Sequence, residues 1–440
     1  MGISSPEDLS RAVAQLSSVE SQKDRIEGLC EIGNGIVGKL AKSDDNSSGQ
    51  LVRILVSHLL EPTVPAAVAK PVLHHFSGSL VTILSGEDES EAALATRESV
   101  CRAAECVLSV LKTRLVTYDE DDAFLREGVA AYLENCGEYS EAAKTLSRIN
   151  MDCGKYTDDQ KAAAYVHIAE LFLEEDDSVE AERFNNRASQ FIHGSKDQVV
   201  KTKYRVSHAR ILDAKRKFLD ASIKYYSLSV NAFLSSADEE EKEEAEESMH
   251  VVEDDVHQLL VCAVTCAVLA KAGPQRSRML GTLYRDERVR RMGGVKKIHW
   301  HVLRQMYTER LIKSSEVNDF EASLLPHQKA TLADGSTVLE RAMIEHNMLA
   351  ASRIYKNIRF EELGALLGTS AANAEEICAR MIREGRMQGT IDGVDGVLSF
   401  EIKSASSDAA AFDARVQSFC NELNTFVERL EEKHPKYRCD

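Results

Sequence analysis
Apolar residues recur along this chain at spacings of three and four, the period of helices that each bury one stripe. Residues 1 to about 115 read as helices separated by polar breaks at 42–49, at Glu61-Pro62 and Lys70-Pro71, and at 85–91. From about Asp121 the helices pair. Phe124, Val129, Tyr132 and Leu133 begin one apolar face, 135–138 turns the chain, and Tyr139, Ala142, Ala143, Leu146 and Ile149 form the next. A second pair spans 162–173 and 181–191, and a third 199–212 and 221–233. Ala142, Ala181 and Ala221 are small residues where the second helix of each pair can pack closely. A lone hairpin leaves one face bare, so such pairs stack into a solenoid resembling tetratricopeptide (TPR) repeats, although the spacing is irregular.

A nearly pure acidic run, 238–248, then interrupts the pattern and reads as a solvated loop or frayed helix end. Helices resume at 250–271 and stop at Gly273-Pro274. The next legible module starts at Ser336, with a helix from Thr337 to about Tyr355 and Glu340 as its start signal. Ile358 and Phe360 suit a short strand, and 361–367 a short helix closed by Gly368. Ser370 caps a helix over 371–384 that Gly385 closes. Strands at 387–391 and 397–400 flank a turn made by Gly393-Val394-Asp395-Gly396. Helix, turn, helix and β-hairpin is the order of a winged helix. Last, Phe412, Val416, Phe419, Leu423, Phe426 and Leu430 alternate spacings of four and three. That narrow seam suits a coiled-coil or bundle helix whose partner lies outside the chain; a helix on its own domain shows a wider stripe.

Composition agrees with this reading. Seven prolines and a 6% aromatic share argue against a β sandwich, and 440 residues suggest about two to three domains. The expected fold is mostly α, in four stretches. Residues 1–115 are N-terminal helical repeats. Residues 116–325 are TPR-like hairpins with the acidic insertion near 237–250. Residues 326–403 are the winged helix, and 404–440 the heptad helix and tail.

Charge alters the picture locally. The net charge of −17 repels nucleic-acid phosphates, yet 276–313 carries eleven Arg and Lys against Asp286, Glu287 and Glu309. This inversion suits an acidic neighbour, with Arg285, Arg288 and Arg290 as candidate contacts. The winged-helix stretch 355–400 holds five bases (Lys356, Arg359, Arg380, Arg383, Arg386) against seven acids, too few for phosphate binding. The spelling Gly33-x-Gly35-x-x-Gly38 lacks the preceding strand that a dinucleotide site needs. His299-Trp300-His301 lies in a helical stretch, where residues two apart diverge, and no Ser-x-x-Asp completes a zinc site. The expected arrangement there is a buried Trp300 flanked by histidines. Cys262 and Cys266 read as buried thiols. No nucleophile motif or phosphate loop is spelled, so neither an enzyme nor a cofactor or metal is expected. The start predicts no secretory leader, and the apolar run 259–270 is too short to span a bilayer.

Several stretches resemble one family. These are Gln275-Arg276-Ser277-Arg278-Met279-Leu280, Asp286-Glu287-Arg288, Leu325-Pro326-His327-Gln328-Lys329-Ala330, Ala333-Asp334-Gly335-Ser336 and Ile344-Glu345-His346-Asn347. The stretches 360–367 and 382–387, Ile391-Asp392 and Asp395-Gly396 add to it, as do 173–177, 186–189 and Arg216-Lys217-Phe218. Together they are similar to the subunit 4 family of the COP9 signalosome, PCI-domain proteins, over roughly 121–400. The acidic run reads as an insertion relative to that family.

The resemblance implies a PCI helical part from about residue 200 and a non-catalytic scaffold. The complex removes a ubiquitin-like modifier from cullins and so regulates cullin-RING ubiquitin ligases, with its metalloprotease in another subunit. The implied partners are other signalosome subunits, through the winged-helix edge and a C-terminal helix bundle, and the cullin-RING ligase, through the N-terminal repeats. The implied location is cytoplasm and nucleus, with no membrane and no specific nucleic acid. The alternatives are a PCI subunit of the proteasome lid or of translation initiation factor three and, from another class, a winged-helix nucleic-acid binder.

Overall fold
Helices do form almost throughout, and their boundaries follow local capping chemistry. The computed structural model describes residues 6–17, 21–40, 46–86, 91–114, 117–151, 156–195, 197–237, 246–291, 297–331, 335–400 and 405–433. Most of the acidic run, 238–245, lies outside them, as do 41–45, 87–90, 292–296 and 332–334. Two compact units divide at Lys215 and Arg216.

The first unit holds α1 (Pro6–Ser17), α2 (Gln22–Leu40), α3 (Asn46–Leu59), α4 (Ala66–Leu84), α5 (Glu91–Leu111), α6 (Asp119–Cys136), α7 (Tyr139–Ser147), α8 (Asp158–Glu174), α9 (Ser178–Ile192) and α10 (Gln198–Ala214). From α2 to α6 each helix packs most closely on the next but one, α6 to α9 pack on one another in sequence, and one contiguous apolar core runs from Leu9 to Ile211. Thr157 and Gln160 form a reciprocal capping box that starts α8: the Gln160 N–H donates to Thr157 Oγ1 at 3.3 Å and the Thr157 N–H to Gln160 Oε1 at 3.0 Å. Asp177 accepts from the N–H groups of Val179 and Glu180 and starts α9. Between these two helices Tyr165, Phe172 and Phe184 stack, with the Phe172 and Phe184 ring centroids 5.7 Å apart. Ala142 and Ala181 are fully buried, as close packing requires.

Three expectations are corrected in this unit. Lys70-Pro71 is no break: Pro71 lies inside α4, its ring exposed, while Val68, Ala69, Val72 and Leu73 bury the opposite face and carry the helix through. Gly49 is already helical in α3. Phe124 is exposed rather than in the core, its ring against His74 at 5.9 Å. The Gly33, Gly35 and Gly38 spelling falls within α2, where a Cβ on Gly33 would lie 3.3 Å from Phe76; that glycine serves packing.

The second unit begins with α11 (Phe218–Ala237) and α12 (Glu246–Leu269), packed as a long hairpin. The third expected pair is therefore divided differently: α10 packs on α8 and α9, and α11 on α12. Then come α13 (Pro274–Arg285), α14 (Glu287–Arg290), α15 (Lys297–Tyr307) and α16 (Ser314–Ala322), followed by a 3-10 turn at Pro326–Lys329. The winged helix follows as α17 (Val338–Ile354), β1 (Asn357–Arg359), α18 (Phe360–Leu367), α19 (Ala371–Arg383), β2 (Thr390–Asp392) and β3 (Val397–Ser399). The sheet is antiparallel in the order β1-β3-β2, with Ile358 and Ile391 both opposite Leu398. Its core joins Leu363, Ile377, Met381 and Leu398 to Met348 and, from outside the module, Ala272. Thr337 and Glu340 cap α17 as a box, and Ser370 caps α19. Gly368 and Gly385 end α18 and α19 in the left-handed region. Last is α20 (Ala405–Lys433).

Candidate interaction surfaces
The seam lies on α20. Phe412, Val416, Phe419, Leu423 and Phe426 are all exposed, Phe419 at 63%. Leu430 lies outside the residues whose side chains are described. Every described side chain of α20 is exposed. Fully burying one such Leu or Phe stabilises by about 1.5–3 kcal/mol relative to leaving it in water, so a row of them is a strong drive toward a partner. Val427, also exposed, widens the seam at its C-terminal end; as an apolar residue beside a seam position it was legible in the sequence.

The sheet of the winged helix offers two outer edges, β1 and β2, each paired only to the central β3 among the described residues. At the wing tip Asp392 Oδ1 accepts from the Val394 and Asp395 N–H groups, and Val394 is 96% exposed. The outer face of α19, the helix that would enter a DNA groove, presents Glu375 and Glu376 to solvent. Carboxylates there oppose a phosphate backbone.

The basic segment is not one surface. Arg276 is buried at 3% exposure, with Nε donating to Ala267 O at 3.0 Å and Nη2 to Val268 O at 2.9 Å. It thus satisfies the last carbonyls of α12, where a cation also suits the helix dipole. Burial pushes its pKa down to about 10, and Glu345 opposes the shift, so it remains charged at neutral pH. Arg288 grips Asp286, with Nη2 to Oδ2 at 2.7 Å and Nε to Oδ1 at 3.1 Å, and donates Nη1 to Ser229 O at 2.9 Å. It fastens the α13–α14 corner to α11. Burial would raise the Asp286 carboxyl, but the Arg288 bonds and charge outweigh it and hold Asp286 below its ordinary range. Arg285 and Arg290 are the two candidates that stand exposed.

Corrections follow for the aromatic stretch as well. In α15 His299 is the buried residue, edge-on to Phe320 at 5.1 Å, while Trp300 is half-buried and stacks on Tyr284 at 5.2 Å. His301 is exposed beside Gln305 and Glu316. Among the described residues no group of three or more His, Cys, Asp or Glu could hold a metal ion. No helix among them is long and apolar enough to cross a membrane.

The stretch Glu345-His346-Asn347 on α17, unassigned by pattern alone, joins three other segments. Successive helical residues point about 100° apart, so burial of all three means α17 is enclosed on several sides. Glu345 accepts from the Ala272 N–H at 3.2 Å and from Arg386 Nη1 and Nη2. His346 Nε2 donates to Arg310 O at 2.9 Å. Asn347 takes the Ile312 N–H at 2.9 Å and donates to Ile312 O at 3.1 Å. Arg386, one of the five bases counted for phosphate, is thereby committed to an internal pair.

The comparisons with known proteins agree with this architecture. The PCI domain model matches residues 319–402, and the PSMD12/CSN4, N-terminal model matches 91–236. The chain is 38% identical over 429 residues to COP9 signalosome complex subunit 4 of Arabidopsis thaliana, covering 97% of this chain and 98% of that protein. It is 35% identical to the Dictyostelium discoideum subunit 4, over 88% of this chain and 89% of that one, and 38% identical to the Drosophila melanogaster subunit 4, over 75% of each. With a winged helix in place and likeness running nearly end to end, the chain belongs to the COP9 signalosome subunit 4 family of PCI-domain proteins.

Proposed function
We propose that this chain is a non-catalytic scaffold of the signalosome, supporting removal of the ubiquitin-like modifier from cullins while the metalloprotease resides in another subunit. Likeness over 97% of the chain to a subunit 4 carries this reading. The exposed α20 seam supports a role in a shared helix bundle, and the outer edges of the winged-helix sheet, unpaired among the described residues, support strand-edge pairing with neighbouring subunits. Arg285 and Arg290 extend this to an acidic neighbour. The helical repeats at the N-terminal end face the cullin-RING ligase, and the site of action is cytoplasm and nucleus. The described cysteines, all free thiols and several buried, suit such reducing compartments.

Affinity purification of the tagged chain with identification of co-purifying subunits tests the proposal. The other signalosome subunits should be recovered together. Recovery of proteasome-lid subunits without them would overturn it.

A further inference from the structure
A cavity of about 410 Å³ opens at the foot of the α11–α12 hairpin, within the size range of ligand pockets. Its floor is apolar: Phe218, Leu269, Val338 and Ala342 line it and are themselves buried. Its rim is basic. Arg216, Lys217 and Lys271 line it and are exposed, and among the described residues none of them is ion-paired; Asp220 is the acid beside them. Positive charge at depth is already matched, because Arg341 and Arg386 share the Glu345 carboxylate and Arg386 also pairs with Glu384. A compact anion would therefore find no free cation at the floor and would gain nothing from its apolar walls. An occupant matching both layers carries an apolar side chain for the floor and carboxylates on either side for the rim.

From this complementarity we infer that the cavity docks a short segment of another protein, an apolar residue flanked by Asp or Glu. The chain's own acidic stretch at 238–248 does not fit the role. α11 ends at Ala237 and α12 starts at Glu246, about 30 Å from the cavity along α11. With both ends of the stretch tied there, so few residues reach back only roughly 15 Å. The docking reading rests on the cavity alone and stands or falls apart from signalosome membership.

Arg216 provides a clean test. Its φ of 59° is in the left-handed region, which glycine adopts without penalty, so Arg216→Gly removes a rim charge while relieving the backbone. The full chain would be titrated, by fluorescence anisotropy, against a pool of short labelled peptides with varied apolar centres flanked by glutamates. Matched peptides flanked by lysines serve as controls. The acid-flanked pool should contain binders, weakened by salt, with the lysine-flanked partners at least about tenfold weaker. Arg216→Gly combined with Lys271→Glu should weaken binding about tenfold with the melting temperature retained, and Ala342→Phe, which fills the floor, should abolish it. The inference is overturned if no acid-flanked peptide binds, if lysine-flanked peptides bind equally, or if neither variant changes affinity. Displacement by inorganic pyrophosphate as effective as by unlabelled peptide would also overturn it, in favour of a phosphate site.

Discussion

Arg386 and Glu345, 41 residues apart in sequence, meet in a two-pronged hydrogen bond, with Nη1 at 2.5 Å and Nη2 at 3.1 Å from the carboxylate oxygens. Burial alone would raise the Glu345 carboxyl; the bonds and charge of Arg386 outweigh burial and hold it below its ordinary range. Removing one partner strands the other, so Glu345→Ala should destabilise the second unit by about 3–5 kcal/mol. Glu345→Gln keeps an acceptor for the Ala272 N–H and should cost less. Denaturant titration followed by fluorescence of Trp300, the chain's sole tryptophan and part of the same unit, reads the difference.

His346 gives the fold an acid sensitivity. Burial, reinforced by the nearby Arg276 charge, pushes its pKa down from 6.5 to about 4 despite the bond to Arg310 O. As pH falls below 6.5 the unfolded chain takes up a proton that the folded chain refuses until about pH 4. Stability is therefore full above that window and declines by about 3 kcal/mol across it. Glu345, depressed from 4.5, adds a loss in the same direction at lower pH. In His346→Gln the slope of stability against pH between 6.5 and 4 should flatten; an unchanged slope would show that His346 does not set it.

The α20 seam separates folding from assembly. Phe419→Asp with Leu423→Asp changes exposed side chains, so the isolated chain should keep its stability to within about 0.5 kcal/mol. Recovery of the assembled complex should fall sharply. Normal recovery with these aspartates in place would remove the seam from assembly.

Glycines provide a paired comparison. A Cβ on Gly364 would lie 2.8 Å from Thr369 O and 3.1 Å from Ala371 N, both backbone atoms that cannot rotate away. Gly364→Ala should destabilise the winged helix by about 1–3 kcal/mol, although alanine itself favours a helix by about 1 kcal/mol. Gly28→Ala faces only the flexible end of Leu16, at 2.7 Å, and should cost less. Thermal melts of the two variants that came out in the opposite order would refute this distinction.

Periodicity made the helices, the wing and the seam readable, because each depends on spacing within a few residues. Glu340, Ser370, Gly368 and Gly385 act on the backbone next to them, and their roles were visible in the sequence, whereas Thr337, read there as the first helical residue, is the cap itself. Arg276, Arg288 and Arg386 were sorted by sign alone, and sign carries no address. Whether a guanidinium faces water, a helix end or a carboxylate is decided by elements many positions away. The same holds for His299 and Trp300, where the identity of the buried ring depends on how α15 meets Phe320 and Tyr284. Pro71 misled because local propensity predicts a break that burial of the other face overrides.

The polar trio on α17 bears on where this molecule can be cut. Similarity to the PCI domain begins at residue 319, yet Ala272, Arg310 and Ile312, whose backbones bond to Glu345, His346 and Asn347, all precede it. A fragment spanning 319–402 would keep Arg386 for Glu345 but would leave behind the Ala272 N–H and the counterparts of His346 and Asn347. The inheritable segment and the cooperative folding body are thus different lengths of the same chain, and the longer one reaches back at least to Ala272.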